Sequence, residues 1–509
     1  MKQFIFLHMI FGLALMACAC HQDKGLYDYA DVNKVVIDLG NNGFLGPKTS
    51  DTLHINPLLI YRGDTTLATH VSETFTFIWY CNGEEISRNP QLVYAVRELT
   101  GKRPYVKLKV INKADESTFL AGFYVDAVPE YQTGWVVLTK KENRGIISFI
   151  DPDTYVVTAD FYTTIAQEEL GPNAIAVKEH WMAGGGLTNT GNILIVRNDP
   201  AGNIELDGTN LGPIYNTNNF FLGNVLPDDF RPRGEFYMWD YSFMLDDNGN
   251  VYTRKHENNA YAQSGVYPNK PMFIPSGVKF HKGWSGTHLS GQTIFYDQTN
   301  GSLYLGTDHG FVLPINYMSG PPIPPGTTLI HAMDKELAYV GKLQQGRFTS
   351  SYFLFFRDDT GQHYVQKIQV MDQYYTCAAL FFSEKPFGVG TATPQSIFCQ
   401  LQRIENYLFY SGGTNNNTLY LYEHSQAQSS AYFTFDAPIK TIAARQNSVM
   451  GVTTHDQLLV GLENGDTYVL GILSEQMANP AARLIKRIEL DQGVPVSSMY
   501  KVGFGYTQL

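Results

Sequence analysis

A loosely repeated β-hairpin is the feature that most constrains how this chain of 509 residues can fold. Each copy has an apolar strand, a polar turn rich in Asp, Asn and Gly, and a second strand with an aromatic or aliphatic pair. One hairpin alone cannot bury its apolar face, whereas a ring of sheets buries both faces of each sheet and leaves only short edges. The clearest copies are FMLDDNGNVYT (243–253), IFYDQTNGSLYLG (294–306), LFFRDDTGQHYVQ (354–366), LFYSGGTNNNTLYLY (408–422) and LLVGLENGDTYVLG (458–471), and weaker ones cover 136–150 and 193–206.

The spacing of these copies favours a β-propeller over a solenoid. Aligned second-strand positions recur about every 48 to 60 residues, which fits four-stranded blades with long loops and exceeds solenoid repeats of roughly 20 to 35 residues. We predict an all-β fold in which residues 131–509 form a roughly seven-bladed β-propeller. The C-terminal stretch 498–509 is predicted to pair near Trp135–Leu138 and to close the ring. The aligned positions are Ile147, Ile204, Tyr252, Tyr304, Tyr364, Tyr420 and Tyr468.

The first 17 residues have the pattern of a lipoprotein signal peptide. The apolar run Phe4–Met16 is shorter than the roughly 20 residues of a membrane span. Leu15-Met16-Ala17-Cys18 looks like a bacterial lipobox, so the mature chain is expected to begin at lipidated Cys18 and to continue as a tether over 18–46. Cys20 fits the lipobox less well, and a soluble secreted protein is the alternative.

The stretch that follows this signal carries a resemblance to a known family. Asp23-Lys24-Gly25-Leu26-Tyr27-Asp28-Tyr29, directly after the lipobox, resembles the start of the PKD-like family lipoproteins of Bacteroidetes. The resemblance implies an outer-membrane lipoprotein exposed at the cell surface, with a SusC/SusD-type transporter complex as its partner. It further implies an accessory subunit that captures oligopeptide or glycan before TonB-dependent transport.

Short β-branched and aromatic runs predict a PKD or Ig-like β-sandwich over residues 47–130. The sequence Trp79-Tyr80-Cys81-Asn82-Gly83 places a large ring just before an Asn-Gly hairpin turn, in which both central residues need positive φ. We interpret Trp79 as a core residue rather than a platform for a sugar. The runs are 35–37, 53–55, 75–80, 105–110 and 123–125.

Composition excludes some classes of partner and of site. A net charge of -11 and a pI of about 5.6 argue against nucleic acid, because phosphate backbones are bound by basic patches. Besides the two N-terminal cysteines the chain has Cys81, Cys377 and Cys399, with no Cys-x-x-Cys spacing, which indicates neither a disulfide framework nor a zinc site. A Cys377–Cys399 pair and buried free thiols both remain open.

The search for catalytic chemistry gives no catalytic residue, no metal ligand and no cofactor. The Gly-rich 183–191 lacks the Gly-Lys-Ser/Thr of a phosphate-binding loop. Asp151 and Asp153 have the residue type of a glycosidase carboxylate pair, but an Asp-Pro turn explains them better. Asp246, Asn248 and Asn250 alternate like calcium ligands, but the hairpin repeat explains the same letters. The histidines considered, at positions 180, 256, 281, 309 and 455, follow no zinc or nucleophile-elbow motif.

A binding role has the better support, because propeller loops present aromatic side chains that can stack on sugar rings or cover apolar peptide side chains. The aromatic-dense stretches are 218–226, 236–243, 280–288 and 371–382, and the Pro-rich 319–326 is predicted to be a stiff exposed loop. We predict a non-enzymatic accessory binding protein with unassigned ligand-binding residues. The alternatives are a surface glycan or peptide hydrolase or lyase that uses a carboxylate pair, and a pure scaffold of the complex.

Overall fold

The computed structural model divides the chain into two compact units, Met1–Val128 and Pro129–Leu509. The residues that the structure describes are 35–40, 44–45, 47–48, 51–61, 64–99, 104–125, 127, 130–131, 133–180, 192–208, 210–238, 241–255, 266–272, 274–285, 292–318, 322–343, 348–401, 404, 406–445 and 456–501.

The first unit is built from strands and two short 3-10 helices, Ala68–Val71 and Val96–Glu98. Its strands are β1 (Val35–Asp38), β2 (Phe44–Leu45), β3 (Thr52–Ile55), β4 (Leu58–Tyr61), β5 (Asp64–Leu67), β6 (Phe75–Cys81), β7 (Glu84–Ser87), β8 (Leu92–Ala95), β9 (Tyr105–Asn112) and β10 (Thr118–Val125).

Three sheets surround one core in this unit. Their strand orders are β1-β4-β5, β2-β10-β9-β6-β7 and β3-β8. Trp79 is fully buried and its indole N–H donates to the carbonyl of Asn89 at 3.0 Å. Asn82 and Gly83 both have positive φ in the β6–β7 turn, as an Asn-Gly hairpin requires. The core interpretation of Trp79 and the predicted turn are therefore confirmed.

The folded unit begins earlier than the predicted tether, 18–46, allows. Residues of β1 pair antiparallel with β4, from Val35 opposite Tyr61 to Asp38 opposite Leu58, and β2 pairs with β10. Val35 is buried in the same core as Trp79. The segment from Val35 onward is thus part of the sheet structure, because its apolar alternation supplies an edge strand rather than a solvated linker.

The second unit contains 27 strands within the described part of the chain, β11 to β37. Its helices are α1 (Phe161–Ala166), α2 (Ser474–Ala478) and the 3-10 turns Thr217–Phe220, Leu222–Asn224 and Pro480–Ala482. Its strands are β11 (Gly134–Lys141), β12 (Arg144–Ile150), β13 (Val157–Thr158), β14 (Ala174–His180), β15 (Asn192–Arg197), β16 (Ile204–Leu206), β17 (Pro213–Asn216), β18 (Pro232–Tyr237), β19 (Tyr241–Asp246), β20 (Val251–Lys255), β21 (Lys282–Ser285), β22 (Gln292–Asp297), β23 (Ser302–Thr307), β24 (Val312–Tyr317), β25 (Glu336–Lys342), β26 (Thr349–Arg357), β27 (His363–Asp372), β28 (Cys377–Phe387), β29 (Phe398–Gln400), β30 (Tyr407–Gly412), β31 (Thr418–Glu423), β32 (Gln428–Thr434), β33 (Ile439–Arg445), β34 (Gln457–Leu462), β35 (Asp466–Gly471), β36 (Leu484–Glu489) and β37 (Val494–Lys501).

These strands form consecutive antiparallel sheets in a β-propeller-like all-β arrangement. The strand orders are β37-β11-β12-β13, β14-β15-β16-β17, β18-β19-β20, β21-β22-β23-β24-β28-β27-β26-β25, β29-β30-β31-β32 and β33-β34-β35-β36. The eight-stranded sheet consists of two four-stranded halves joined by a parallel pairing of β24 with β28. The two halves enclose one apolar core between them.

Apolar layers lie between successive sheets, and the last sheet packs on the first. On β19, for example, Met244 packs toward the preceding sheet with Leu194, while Phe243 packs toward the following sheet with Phe295. At the junction of the last and first sheets, Leu459 packs in one cluster with Trp135. Each sheet is therefore buried on both faces, which explains the near-continuous apolar runs in the second strands.

The predicted closing strand is confirmed for Ser498–Lys501. Strand β37 pairs antiparallel with β11, with Trp135 opposite Tyr500 and Leu138 opposite Ser497. The same strand contacts β14 and β33, so the C-terminal segment joins the first sheet to the last. The remaining residues of the predicted closing stretch lie outside the described residues.

A turn-capping aspartate recurs in three of the repeated hairpins. Asp246 and Asp297 end β19 and β22, Asp358 follows β26, and each carboxylate accepts N–H groups of its own turn. The Tyr252 and Tyr364 hydroxyls then donate to Asp246 and Asp358 at 3.4 and 3.2 Å. The aligned repeat positions lie in the third strand of each four-stranded group, or of the three-stranded sheet: β12, β16, β20, β23, β27, β31 and β35.

Candidate functional site

Several predicted sites lie outside the described residues. These are the lipid-anchor residue Cys18 with its neighbour Cys20, the PKD-like motif at 23–29, the Gly-rich 183–191, His256 and His455. The anchor therefore stays a prediction. In the described part of the chain, no helix is long and apolar enough to cross a membrane.

The aspartates considered for a glycosidase pair and for a calcium site, Asp151 and Asp246, accept hydrogen bonds within their own turns. Both Asp246 oxygens accept hydrogen bonds from Asn250, at 2.8 Å from its backbone N–H and 2.9 Å from its side chain. Asp151 caps the turn that follows it by accepting from Thr154 N–H at 2.8 Å, while Asp153 lies 3.4 Å from the Arg445 guanidinium. Among the residues that the structure describes, no group of three or more His, Cys, Asp or Glu side chains is arranged to hold a metal ion.

The three downstream cysteines are free thiols. Cys81 and Cys377 are buried, and Cys399 is partly buried. Burial raises the pKa of both Cys377 and Cys399 to about 12. Only the thiolate form reacts readily, so Cys377 and Cys399 are unreactive as nucleophiles at neutral pH.

Most rings of the aromatic-dense stretches are core residues. Phe221, Phe236, Phe243 and Phe280 are buried. The stretch 371–382 differs, because Tyr374, Tyr375 and Phe382 are 56%, 75% and 54% exposed. Large rings with this exposure gain little from folding, so this stretch is the candidate site.

A four-residue turn between β27 and β28 presents the two tyrosines. Within it, Tyr374 N–H donates to the carboxylate of Asp372 at 2.9 Å, Gln373 N–H to the carbonyl of Thr376 at 2.9 Å, and Tyr375 N–H to the carbonyl of Gln373 at 3.0 Å. Tyr374 has a φ of 74°, a left-handed conformation that is costly for a bulky side chain. The turn therefore holds Tyr374 outward at an energetic cost.

The parallel pairing of β24 with β28 brings a second turn beside the first. Because Ile315 pairs with Cys377, the β23–β24 turn and the β27–β28 turn lie at the same end of the eight-stranded sheet. The first of these turns carries His309 and Phe311, and it needs Gly310, whose φ is 79° and whose added Cβ would lie 2.5 Å from the Tyr241 ring.

Five rings contact one another in a row at this end of the sheet, and we call them the aromatic cluster: Phe348, His309, Tyr374, Tyr375 and Phe311. The His309 ring stacks on Tyr374 with centroids 3.9 Å apart and an interplanar angle of 17°, and on Phe348 at 5.7 Å and 16°. Tyr375 lies 6.1 Å from Tyr374 and 6.0 Å from Phe311. The cluster presents a ridge of partly exposed ring surface.

Two polar atoms are buried within or beneath the aromatic cluster. Asp372 is 8% exposed, and within the described structure its second carboxylate oxygen, Oδ2, has no hydrogen-bond partner. The same holds for His309 Nε2. Burial raises the pKa of Asp372, while the Tyr374 N–H and nearby His309 act in the opposite direction. Such atoms are rare in folded proteins and require a functional or structural explanation.

Buried amines occur elsewhere in the second unit. Lys342 and Lys501 are the last residues of β25 and β37, and Lys178 lies near the end of β14. Burial lowers the pKa of Lys178 to about 8, of Lys342 to about 7 and of Lys501 to about 8. The Lys178 ammonium also lies 4.3 Å from the Phe236 ring centroid. No motif in the sequence marks these three lysines.

Comparison with known families supports the N-terminal assignment. The model of the PKD-like family matches residues 20–173, which shows that the N-terminal region is PKD-like. The match covers most of the first unit and the beginning of the second. No curated protein sequence matches the chain.

Solved structures similar to the chain include two bacterial proteins. One is a quinonprotein alcohol dehydrogenase-like protein from Bacteroides thetaiotaomicron, with 10% identity, coverage of 93% of this chain and 100% of that one, and a TM-score of 0.37. The other is the periplasmic gluconolactonase PpgL of Pseudomonas aeruginosa, with 11% identity, coverage of 73% and 99%, and a TM-score of 0.41.

Proposed function

We propose that the chain is a surface-exposed outer-membrane lipoprotein that serves as an accessory binding subunit of a SusC/SusD-type TonB-dependent importer. In this role it captures oligopeptide or glycan for transport. The single observation that carries the binding function is the aromatic cluster, in which Tyr374 and Tyr375 are held outward in a strained turn. Exposed rings on a rigid scaffold bind ligands at a low cost in conformational entropy.

The second unit is proposed to be a seven-bladed propeller. Three observations support this count: the eight-stranded sheet consists of two four-stranded halves, the first and last sheets pack together, and β37 contributes the first strand of the first sheet. A rigid ring of this kind holds binding turns at fixed positions, because each turn is anchored by two paired strands.

The location is proposed from the N-terminus. Leu15-Met16-Ala17-Cys18 fits a lipobox, and the match of the PKD-like family model supports the resemblance on which the transporter association rests. Several acyl chains would hold the protein on a bilayer without a membrane span, since each buried methylene contributes about 0.8 kcal/mol.

The transporter association is tested by co-purification. The full chain with an affinity tag after Leu509 is expressed in its native host, extracted from outer membranes in mild detergent and purified. We expect a barrel transporter and its lipoprotein partner to co-purify in near-stoichiometric amounts. The matched control is Cys18→Ala, which should lose both palmitate labelling and the transporter. Equal labelling in the two proteins, or wild-type protein free of transporter, contradicts the proposal.

Turnover assays separate binding from catalysis. The purified full chain is incubated with the oligopeptides or glycans that it binds, and the products are followed by mass spectrometry. The binding function predicts unchanged ligand. Turnover that persists through repurification contradicts the accessory role and favours a hydrolase or lyase, whereas co-purification without any ligand binding favours a scaffold.

A further inference from the structure

We infer that the aromatic cluster is a carbohydrate-binding site, and that Tyr374 and Tyr375 form its stacking surface. This inference rests on the proposed binding function and assigns it a ligand class and a location. Sugar rings present flat C–H faces and hydroxyl edges, so they require exposed aromatic faces with hydrogen-bonding groups next to them. Tyr374 and Tyr375 combine both features, because each offers an exposed ring and a phenolic hydroxyl.

Folding alone does not explain the two tyrosines. Tyr375 is 75% exposed, and Tyr374 combines 56% exposure with a φ of 74°. A glycine or asparagine would adopt this backbone conformation at a lower cost, and a polar residue would be better solvated. Strained and exposed bulky residues are concentrated at binding sites, where a ligand compensates for the cost.

A peptide ligand fits the cluster less well than a sugar. Extended peptides bind by adding a strand to an exposed sheet edge. At the cluster, the outer strands of the two half-sheets, β24 and β28, pair with each other and leave no such edge between them. The backbone N–H groups of the turn are also unavailable to a peptide. Those of Gln373, Tyr374 and Tyr375 all donate to acceptors in or next to the turn itself. A peptide backbone therefore finds neither a free sheet edge nor free backbone donors at the cluster. Stacking of a sugar on the rings requires neither of them.

Two polar atoms without hydrogen-bond partners in the described structure lie buried beneath the rings. The Oδ1 atom of Asp372 accepts a hydrogen bond from the Tyr374 N–H. Asp372 Oδ2 and His309 Nε2 have no hydrogen-bond partner in the described structure. A carboxylate oxygen accepts from a hydroxyl, and an imidazole nitrogen accepts or donates according to its tautomer. Both atoms are buried, so the hydrogen-bonding groups that a stacked sugar meets first are the phenolic hydroxyls of Tyr374 and Tyr375.

The test uses the full chain in detergent on an array of plant, host and microbial oligosaccharides, beside a panel of oligopeptides of three to eight residues. We expect binding to at least one oligosaccharide series, with affinity then measured by calorimetry. Absence of binding to every oligosaccharide on the array, or binding to oligopeptides alone, overturns the inference. Neither result depends on whether a transporter co-purifies, so failure here is distinguishable from failure of the transporter association.

Two variants locate the site. Tyr375→Ala removes one exposed ring, and Tyr374→Gly removes the other while relieving the backbone strain, so both should keep the wild-type melting temperature or exceed it. Each is expected to weaken the affinity for the oligosaccharide about three- to tenfold, the range of an aromatic contact. The matched control is Phe382→Ala, which deletes an exposed ring on β28 outside the cluster. Unchanged affinity in both tyrosine variants, or an equal loss in the control, overturns the assignment.

Discussion

Tyr500 tests whether the C-terminal strand closes the second unit. Its ring packs edge-on against Trp135 of β11 with centroids 4.8 Å apart, and the Arg445 guanidinium of β33 lies 5.3 Å from its centroid. One side chain on β37 thus contacts the first and the last sheets. Tyr500→Ala should destabilise the junction between them, whereas Tyr500→Phe keeps both ring contacts and serves as the matched control.

The expected magnitude follows from these contacts. The aromatic pair contributes about 0.5–1.5 kcal/mol beyond its burial. The cation–π contact contributes about 0.5–2 kcal/mol at a partly desolvated site. Loss of the burial of this partly buried ring adds about 1 kcal/mol. Tyr500→Ala should therefore lower the free energy of unfolding by roughly 2–4 kcal/mol, which is a shift of a few degrees in the melting temperature for a unit of this size.

Hydrogen exchange shows where the loss occurs. In Tyr500→Ala, we expect faster amide exchange in β11, β14 and β33 together, since β37 contacts all three strands. Tyr124→Ala in the first unit removes a comparable ring contact, 4.8 Å from Tyr105, and should leave those three strands unchanged. If faster exchange in Tyr500→Ala were confined to β37 itself, the strand would be a peripheral attachment and the closure argument would be refuted.

Three further predictions concern buried groups. Trp79→Ala should lower the free energy of unfolding, measured by urea titration, by about 3–5 kcal/mol, because it leaves a cavity in the core and removes the hydrogen-bond donor to the Asn89 carbonyl. A decrease below about 1 kcal/mol would contradict the core role of Trp79. Lys342→Met should raise the melting temperature most below pH 7, because burial lowers the pKa of Lys342 from the ordinary 10.5 to about 7 and the native state must bury a charged ammonium below that pH; this advantage should shrink to nothing between pH 7 and 10.5, where folding releases the proton at decreasing cost, and a constant advantage would refute it. Cys377 and Cys399 should resist a thiol reagent at pH 8 and react fully in urea, and rapid labelling of the native protein would show that they are accessible.

The repeating architecture could be predicted because each hairpin carries local signals. In two hairpins an aspartate caps its own turn, a glycine has positive φ and an aromatic residue follows in the next strand: Asp246, Gly249 and Tyr252, and Asp358, Gly361 and Tyr364. These signals depend only on neighbours within about ten residues. Sequence spacing therefore identified the hairpins and the third strand of each group.

Long-range pairings were less predictable. The pairing of β1 with β4 passes over the two strands that lie between them in the chain, β2 and β3, so no hairpin turn marks it in the sequence. The parallel pairing of β24 with β28 is a contact between two edge strands, and its register is set by the packing of two halves of a sheet. Such a contact leaves no turn signature in the sequence.

The candidate site shows why burial, rather than composition, decides which aromatic residues are available to a ligand. Phe221 and Tyr375 both lie in aromatic-dense stretches, yet one is buried between sheets and the other is 75% exposed. His309 belongs to no motif and joins the cluster only because β24 and β28 align their preceding turns. Residues from turns more than sixty positions apart in the chain thus form one surface through the least predictable pairing in the fold.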